Sequence, residues 1–173
     1  MNLEVVNIVA TAKLSAPLNL QQLANMLENA EMSSHRWLKM RLPPENYYVA
    51  FYKSGKFLIT GVKSIDAMKD VAERVLHILR SSGLKITCES IIIHNIVMVG
   101  SVKLYASLEK IIYSLDSSKV SYEPEQFTGL IYRDFGVSFL LFPSGKVVVT
   151  GVKDIYSGES ITDKFRNIIE GIH

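Results

Sequence analysis

A single cysteine, Cys88, leaves no partner for an intrachain disulfide and no set of thiolates for a metal. Charge of one sign is also missing. Against 19 basic side chains stand 17 acidic ones, a formal net charge of +2, so bulk electrostatics give little support to a nucleic-acid partner. No apolar run approaches the roughly 18 to 20 residues of a membrane span; the longest candidate, Ile91 to Val99, is interrupted by His94 and Asn95. The start, Met1-Asn2-Leu3-Glu4, has no basic segment ahead of an apolar stretch, so a secretory signal is not expected. His35, His77, His94 and His173 show no ligand spacing with Cys88 or with paired carboxylates. No nucleophile elbow or phosphate-loop frame occurs, because the Ser-Gly-Lys segments lack the residues such a frame needs. The chain is therefore expected to be soluble, intracellular and globular, with no catalytic residues, no cofactor, no metal and no membrane partner.

What is present is repetition. Ser54-Gly55-Lys56-Phe57-Leu58-Ile59-Thr60-Gly61-Val62-Lys63 returns 90 positions later as Ser144-Gly145-Lys146-Val147-Val148-Val149-Thr150-Gly151-Val152-Lys153, with seven of ten residues identical. Asn7-Ile8-Val9 returns as Asn95-Ile96-Val97, shifted by 88. The same order at nearly the same offset indicates a duplicated half-domain. Residues 1–88 form the first repeat and 89–173 the second, one intertwined structural domain.

Each half opens on a strand, Glu4 to Leu14 or Ser90 to Val102, and continues into a short helix. In the first half Leu20, Leu23, Ala24, Leu27 and Ala30 keep helical spacing after Asn19, a capping residue. In the second, Leu104, Leu108, Ile111, Ile112 and Leu115 do so. Strands follow over Trp37 to Val62 and Phe127 to Val152, turning at Pro43-Pro44 and Asp134-Phe135-Gly136. The Ser-Gly-Lys segments join the last two strands as hairpins. Helices over Asp66 to Leu79 and Ser160 to Ile172 close the halves. This order gives an α+β fold, an antiparallel sheet with helices on one face.

Both faces of that sheet are uncharged. In the opening strand Val6, Ile8 and Ala10 alternate with Asn7, Val9 and Thr11; near the end of the half Phe57, Ile59 and Gly61 alternate with Leu58, Thr60 and Val62. One helix layer covers one set. The other is buried in a sandwich or homodimer, or is an exposed surface for a long, partly apolar ligand. A DNA minor groove is such a ligand: its floor is mostly acceptors, adenine N3 and thymine O2, which asparagine amides can meet. Arg36, Arg41, Lys53, Lys56 and Lys63, with Arg133, Lys146 and Lys153, could serve phosphates at the rim. The helix carrying Lys69, Asp70, Glu73 and Arg74 reads as a solvated face.

Tyr122-Glu123-Pro124-Glu125-Gln126-Phe127, then Gly129-Leu130-Ile131-Tyr132-Arg133, then Ser144-Gly145-Lys146 through Lys153, resemble the core of the TATA-box-binding-protein family. The resemblance extends along essentially the whole chain and is tighter in the second repeat. It implies a pseudo-symmetric saddle of two repeats, a curved antiparallel sheet with helices on the convex face. It also implies a general transcription initiation factor that binds and bends A/T-rich promoter DNA through the minor groove. Kinking by inserted side chains comes with the family, which is itself the type example of that mechanism. Carried over residue by residue, the groove floor falls to Asn7, Val9, Leu58, Thr60, Asn95, Val97, Val148 and Thr150. The kinking wedges become Trp37 and Tyr52 in the first half and Phe127 and Phe142 in the second, with Leu140 in support. Phosphate contacts fall to Arg41, Lys56, Lys63, Arg133, Lys146 and Lys153. Glu123, Glu125 and Gln126 would receive a transcription factor B homologue.

The first repeat departs from the family. Met32-Ser33-Ser34-His35-Arg36-Trp37 stands where a proline-rich, phenylalanine-containing stirrup is usual, Trp37 and Tyr52 replace phenylalanines, and Ala50 stands at the place of Leu140. Both repeats run about two residues short after the stirrup. The partners implied are double-stranded promoter DNA, the transcription factor B homologue, the RNA polymerase pre-initiation complex and, away from DNA, a second copy of the chain. The implied location is the archaeal cytoplasm and nucleoid, or the nucleus of a eukaryote. The departures keep an alternative open: a diverged paralogue acting as a protein-interaction or regulatory module with weak DNA bending.

Overall fold

A computed structural model describes all 173 residues. The first repeat builds β1 (Glu4–Leu14), α1 (Leu20–Met26), β2 (Ala30–Met32), β3 (Trp37–Leu42), β4 (Tyr47–Tyr52), β5 (Lys56–Val62) and α2 (Ile65–Ser81). The second builds β6 (Cys88–Ser101), α3 (Leu108–Ser114), β7 (Val120–Ser121), β8 (Leu130–Asp134), β9 (Val137–Leu141), β10 (Lys146–Val152) and α4 (Ile155–Glu170). Strand order is β2-β3-β4-β5-β1 in one repeat and β7-β8-β9-β10-β6 in the other. The pairs β1–β5, β2–β3, β3–β4 and β4–β5, and their counterparts β6–β10, β7–β8, β8–β9 and β9–β10, are all antiparallel. The expected α+β class and the antiparallel sheet are both present.

Helix starts follow their caps. Asn19 accepts from Gln22 N–H at 3.0 Å, Ser64 from Ala67, Ser107 from Lys110 and Asp154 from Ser157, each satisfying a first-turn donor. Three expectations change here. Ala30 continues the helical spacing but opens β2, because pairing with Met40 gives it ladder hydrogen bonds and Leu27 has already turned extended. Leu104 precedes the Ser107 cap and stays outside α3. The closing helix α4 also starts earlier than its apolar spacing indicates, at Ile155 behind Asp154.

Two compact units result: Asn7–His94, and Met1–Val6 together with Asn95–His173. In the first, Ile8, Ala10, Val49, Phe51, Phe57 and Ile59 are fully buried, as are Val71, Val75 and Leu79 of α2. In the second, Phe139 of β9 stacks on Phe165 of α4 with centroids 4.2 Å apart and rings 9° from parallel. Tyr132 of β8 joins them at 5.6 Å from Phe165. Each such side chain contributes roughly 1.5–3 kcal/mol on burial. The helix comes close because Gly158 faces the sheet, where an added Cβ would stand 2.6 Å from Met98 Sδ and 2.8 Å from Val152. The Ser-Gly-Lys hairpins dock alike: Gly55 C=O accepts from Leu14 N–H at 2.8 Å and Gly145 C=O from Val102 N–H at 2.9 Å. Both turn glycines have positive φ, +90° and +84°, and a Cβ on either would collide with the backbone oxygen of Ala16 or Val102.

Candidate nucleic-acid interface

With one parity of each strand under the helices, the other is left half-buried. Asn7, Val9, Leu58 and Thr60 in one unit, and Asn95, Val97, Val148 and Thr150 in the other, all belong to this second parity. None of the eight is charged. Thr11, Tyr48, Val99, Ile131 and Ser138 share it. For Tyr48, Ile131 and Ser138 the signal in the sequence is the alternation along β4, β8 and β9.

One break in the alternation makes the site. Ile8 pairs with Val62 and Ala10 with Ile59, so β5 holds one residue more than β1 over this stretch. Ile96 pairs with Val152 and Met98 with Val149, the same excess in β10. The bulge returns Val62 and Val152 to the core, and both are essentially inaccessible. Strict alternation had placed Val62 with Leu58 and Thr60; the extra residue reverses that. Gly61 and Gly151 supply the left-handed backbone the bulge needs, with φ of +98° and +93°.

Each bulge pins an asparagine. Gly61 N–H donates to Asn7 Oδ1 at 2.8 Å, and Gly151 N–H donates to Asn95 Oδ1 at 2.7 Å. A backbone N–H can only donate, so the amide oxygen must face it and the NH2 end is turned the other way. Thr60 Oγ1 donates to Asn7 Oδ1 at 3.3 Å, and Asn95 Nδ2 donates to Thr150 Oγ1 at 3.3 Å. The arrangement presents amide donors from fixed positions within an apolar surface.

The aromatic residues differ between units. Phe127 and Phe142 meet edge to face, centroids 5.7 Å apart, and Phe127 is 38% exposed. Phe127 lies before β8, and its ring folds back over Gly129, where a Cβ would be only 2.7 Å from it. In the other unit Trp37 is within β3 and pairs with Tyr52, both half-buried. The ladders correct the correspondence drawn from sequence. Leu38 pairs with Phe51 and Leu130 with Leu141, so Trp37 matches Gly129, and Phe127 lies two residues further from the strand. The β3–β4 loop is two residues longer than the β8–β9 loop, which hid this register from sequence alignment. Ala50 is 2% exposed, while Leu140 is half-buried on the uncovered side.

Arg41, Lys56, Lys63, Arg133, Lys146 and Lys153 are all exposed. Arg41 lies over the Tyr48 ring, its Cζ 5.0 Å from the centroid, and donates to Asn46 C=O at 3.3 Å. Glu123, Glu125 and Gln126 stand exposed on the turn between β7 and β8, where Glu123 C=O accepts from Gln126 and Phe127 N–H, each at 2.9 Å. Next to that turn Tyr122 donates to Glu109 Oε1 at 3.0 Å. The Glu109 carboxyl is held below its ordinary range by its own backbone N–H and then by this hydroxyl. No group of His, Cys, Asp and Glu side chains is arranged to hold a metal, and no helix is long and apolar enough to cross a membrane.

Comparison with known proteins bears on this geometry directly. The model of the family described as transcription factor TFIID, or TATA-binding protein, matches twice, over residues 2–82 and 90–172. TATA-box-binding protein C of Halobacterium salinarum is 30% identical over 98% of this chain and 98% of its own length. The TATA-box-binding protein of Aeropyrum pernix is 37% identical over 87% of this chain and 75% of its own. The solved structure of Methanococcus jannaschii TBP superposes with a TM-score of 0.88 at 30% identity, covering 99% of this chain and all of that one. Two family matches in tandem, archaeal relatives along most of the length and a shared fold have one conclusion: the chain belongs to the TATA-binding-protein family, a family of DNA-binding transcription factors and not of enzymes.

Proposed function

We propose that this protein initiates transcription by binding an A/T-rich, TATA-like promoter element in the minor groove and bending it. The observation that carries the reading is the repeated pair Asn7 and Asn95, each oriented by a bulge glycine among the uncharged residues Val9, Leu58 and Thr60, or Val97, Val148 and Thr150, on the uncovered face of its own unit. Their NH2 groups suit adenine N3 and thymine O2, the acceptors that A·T pairs expose in that groove. Val9, Leu58, Val97 and Val148 pack on sugars and base edges, and Thr60 and Thr150 set the polar ends. Phe127 with Phe142, and Trp37 with Tyr52, enter between base steps at the two ends, at an unstacking cost of a few kcal/mol per step. Lys56, Lys63, Arg133, Lys146 and Lys153 take phosphates, and Arg41 does so from its place over Tyr48.

Bound in this way, the protein presents Glu123, Glu125 and Gln126 to a transcription factor B homologue and thereby recruits RNA polymerase. Off DNA, two copies pair through the uncovered surfaces. The test is a mobility-shift and DNA-bending assay on an A/T-rich promoter duplex, with and without transcription factor B. A bent complex in either condition supports the reading, and no bending in both overturns it.

A second reading draws on the first repeat alone. Ala50 is buried where Leu140 is half-exposed, and no edge-to-face ring pair accompanies Trp37. A diverged paralogue that holds protein partners and bends DNA weakly would have this asymmetry, and would form a protein complex without bending in the same assay.

A further inference from the structure

The two units carry one four-residue row across neighbouring strands. In the first, Arg41 pairs with Tyr48, Tyr48 pairs with Thr60, and Thr60 donates to Asn7 at 3.3 Å. In the second, Arg133 pairs with Ser138, Ser138 pairs with Thr150, and Asn95 donates to Thr150 at 3.3 Å. Arginine, threonine and asparagine are the same in both rows. Only one place differs, a tyrosine against a serine. Tyr48 is half-buried on the uncovered side, and the Arg41 guanidinium is parked on its ring at 5.0 Å.

We propose that Tyr48 is a specificity-determining residue that makes the two units unequal readers of base pairs. The inference rests on the minor-groove reading above. In that groove G·C differs from A·T chiefly by the guanine 2-amino group, a donor that projects from the floor. The Tyr48 ring fills the space such a group needs, and the guanidinium on it offers only donors, which a second donor repels. Ser138 leaves that space open, and its hydroxyl oxygen can accept an N–H. G·C is therefore excluded beside Tyr48 and tolerated at the corresponding place beside Ser138. The protein would choose its orientation on an unequal site accordingly.

Affinity alone tests this, with the full-length chain and a palindromic A/T duplex into which G·C is placed on one side or at both mirror-related positions. Wild type should turn to put a one-sided G·C beside Ser138, losing less than about threefold. At one mirror pair the two-sided duplex should lose about tenfold or more, the scale of a single mismatched pair. Tyr48→Ser should reduce the two-sided loss to about threefold, and Ser138→Tyr should raise the one-sided loss to about tenfold, on that same scale. Ser138→Tyr leaves Tyr48 in place, and so covers the case in which Tyr48→Ser folds poorly. A two-sided loss unchanged by Tyr48→Ser, or a one-sided loss unchanged by Ser138→Tyr, overturns the proposal. Failure of wild type to bind even the all-A/T duplex would instead overturn the minor-groove reading on which it rests.

Discussion

Trp37 and Gly129 occupy the same register position in the two repeats, each one residue ahead of a buried leucine paired across the hairpin. In one repeat the ring is attached at that position. In the other the position is emptied so that the ring of Phe127 can lie over it. The two repeats thus carry aromatic groups delivered by different backbone routes.

Filling the emptied position should therefore disable the second repeat alone. Gly129→Ala puts a Cβ within 2.7 Å of the Phe127 ring and 3.1 Å of the Phe142 ring, so the edge-to-face pair must open. DNA bending, followed by energy transfer between dyes at the duplex ends, should fall as far as in Phe127→Ala and Phe142→Ala. Trp37→Ala and Tyr52→Ala should cost less, since no such preset ring pair exists there. Equal losses from the two repeats would contradict the asymmetry.

The asparagines should separate binding from stability. Asn95→Asp keeps the acceptor for Gly151 N–H but replaces the NH2 donor by a carboxylate oxygen, which acceptors on the groove floor repel. DNA affinity should drop more than about tenfold, a loss of at least one good polar contact, while the urea midpoint hardly moves. Asn95→Ala removes the acceptor as well and should cost about 1 kcal/mol of stability. If Asn95→Asp binds like wild type, the amide does not contact the groove floor.

Acid should erase one ion pair in a defined window. Lys119 Nζ lies 2.9 Å from Asp134 Oδ2, and its hydrogen bond, then Phe135 N–H, holds the Asp134 carboxyl below its ordinary value of 3.8. Lys119 is correspondingly raised above 10.5 by the same bond. A carboxyl depressed on folding stabilises the protein above its unfolded pKa, and the contribution is lost as pH falls through the folded value. A raised lysine contributes below its unfolded pKa and loses this as pH rises through the folded value. Lys119→Met should thus be less stable than wild type at neutral pH, with the difference closing as pH is taken below 3.8. The effect is small because both groups meet solvent. Urea denaturation at stepped pH measures it, and a pH-independent difference would contradict it.

Much of this was legible in the chain itself. The duplicated Ser-Gly-Lys and Thr-Gly-Val-Lys segments gave the repeat, and alternation in β1 and β6 separated Ile8 and Ile96 from Asn7 and Asn95. What stayed hidden depends on register. Val62 reads as a neighbour of Thr60 because period-two counting cannot register a bulge, and only pairing with Ile8 turns it inward. Trp37 reads as the counterpart of Phe127 because hairpin loops of unequal length shift the frame by two. Ala30 reads as helical because local spacing carries no information about its ladder partner Met40. The Tyr48–Ser138 difference emerges only once both rows are aligned through Thr60 and Thr150.

Minor-groove binding can be tested by changing one groove at a time. Replacing A·T by inosine·cytosine alters the major-groove pattern, while inosine, lacking the 2-amino group, keeps the minor-groove floor of an A·T pair. On a promoter duplex so substituted throughout its A/T element, affinity and bending should stay close to those of the A/T parent. Guanosine·cytosine at the same positions should abolish both. Loss of binding on the inosine duplex would place recognition in the major groove and contradict the account.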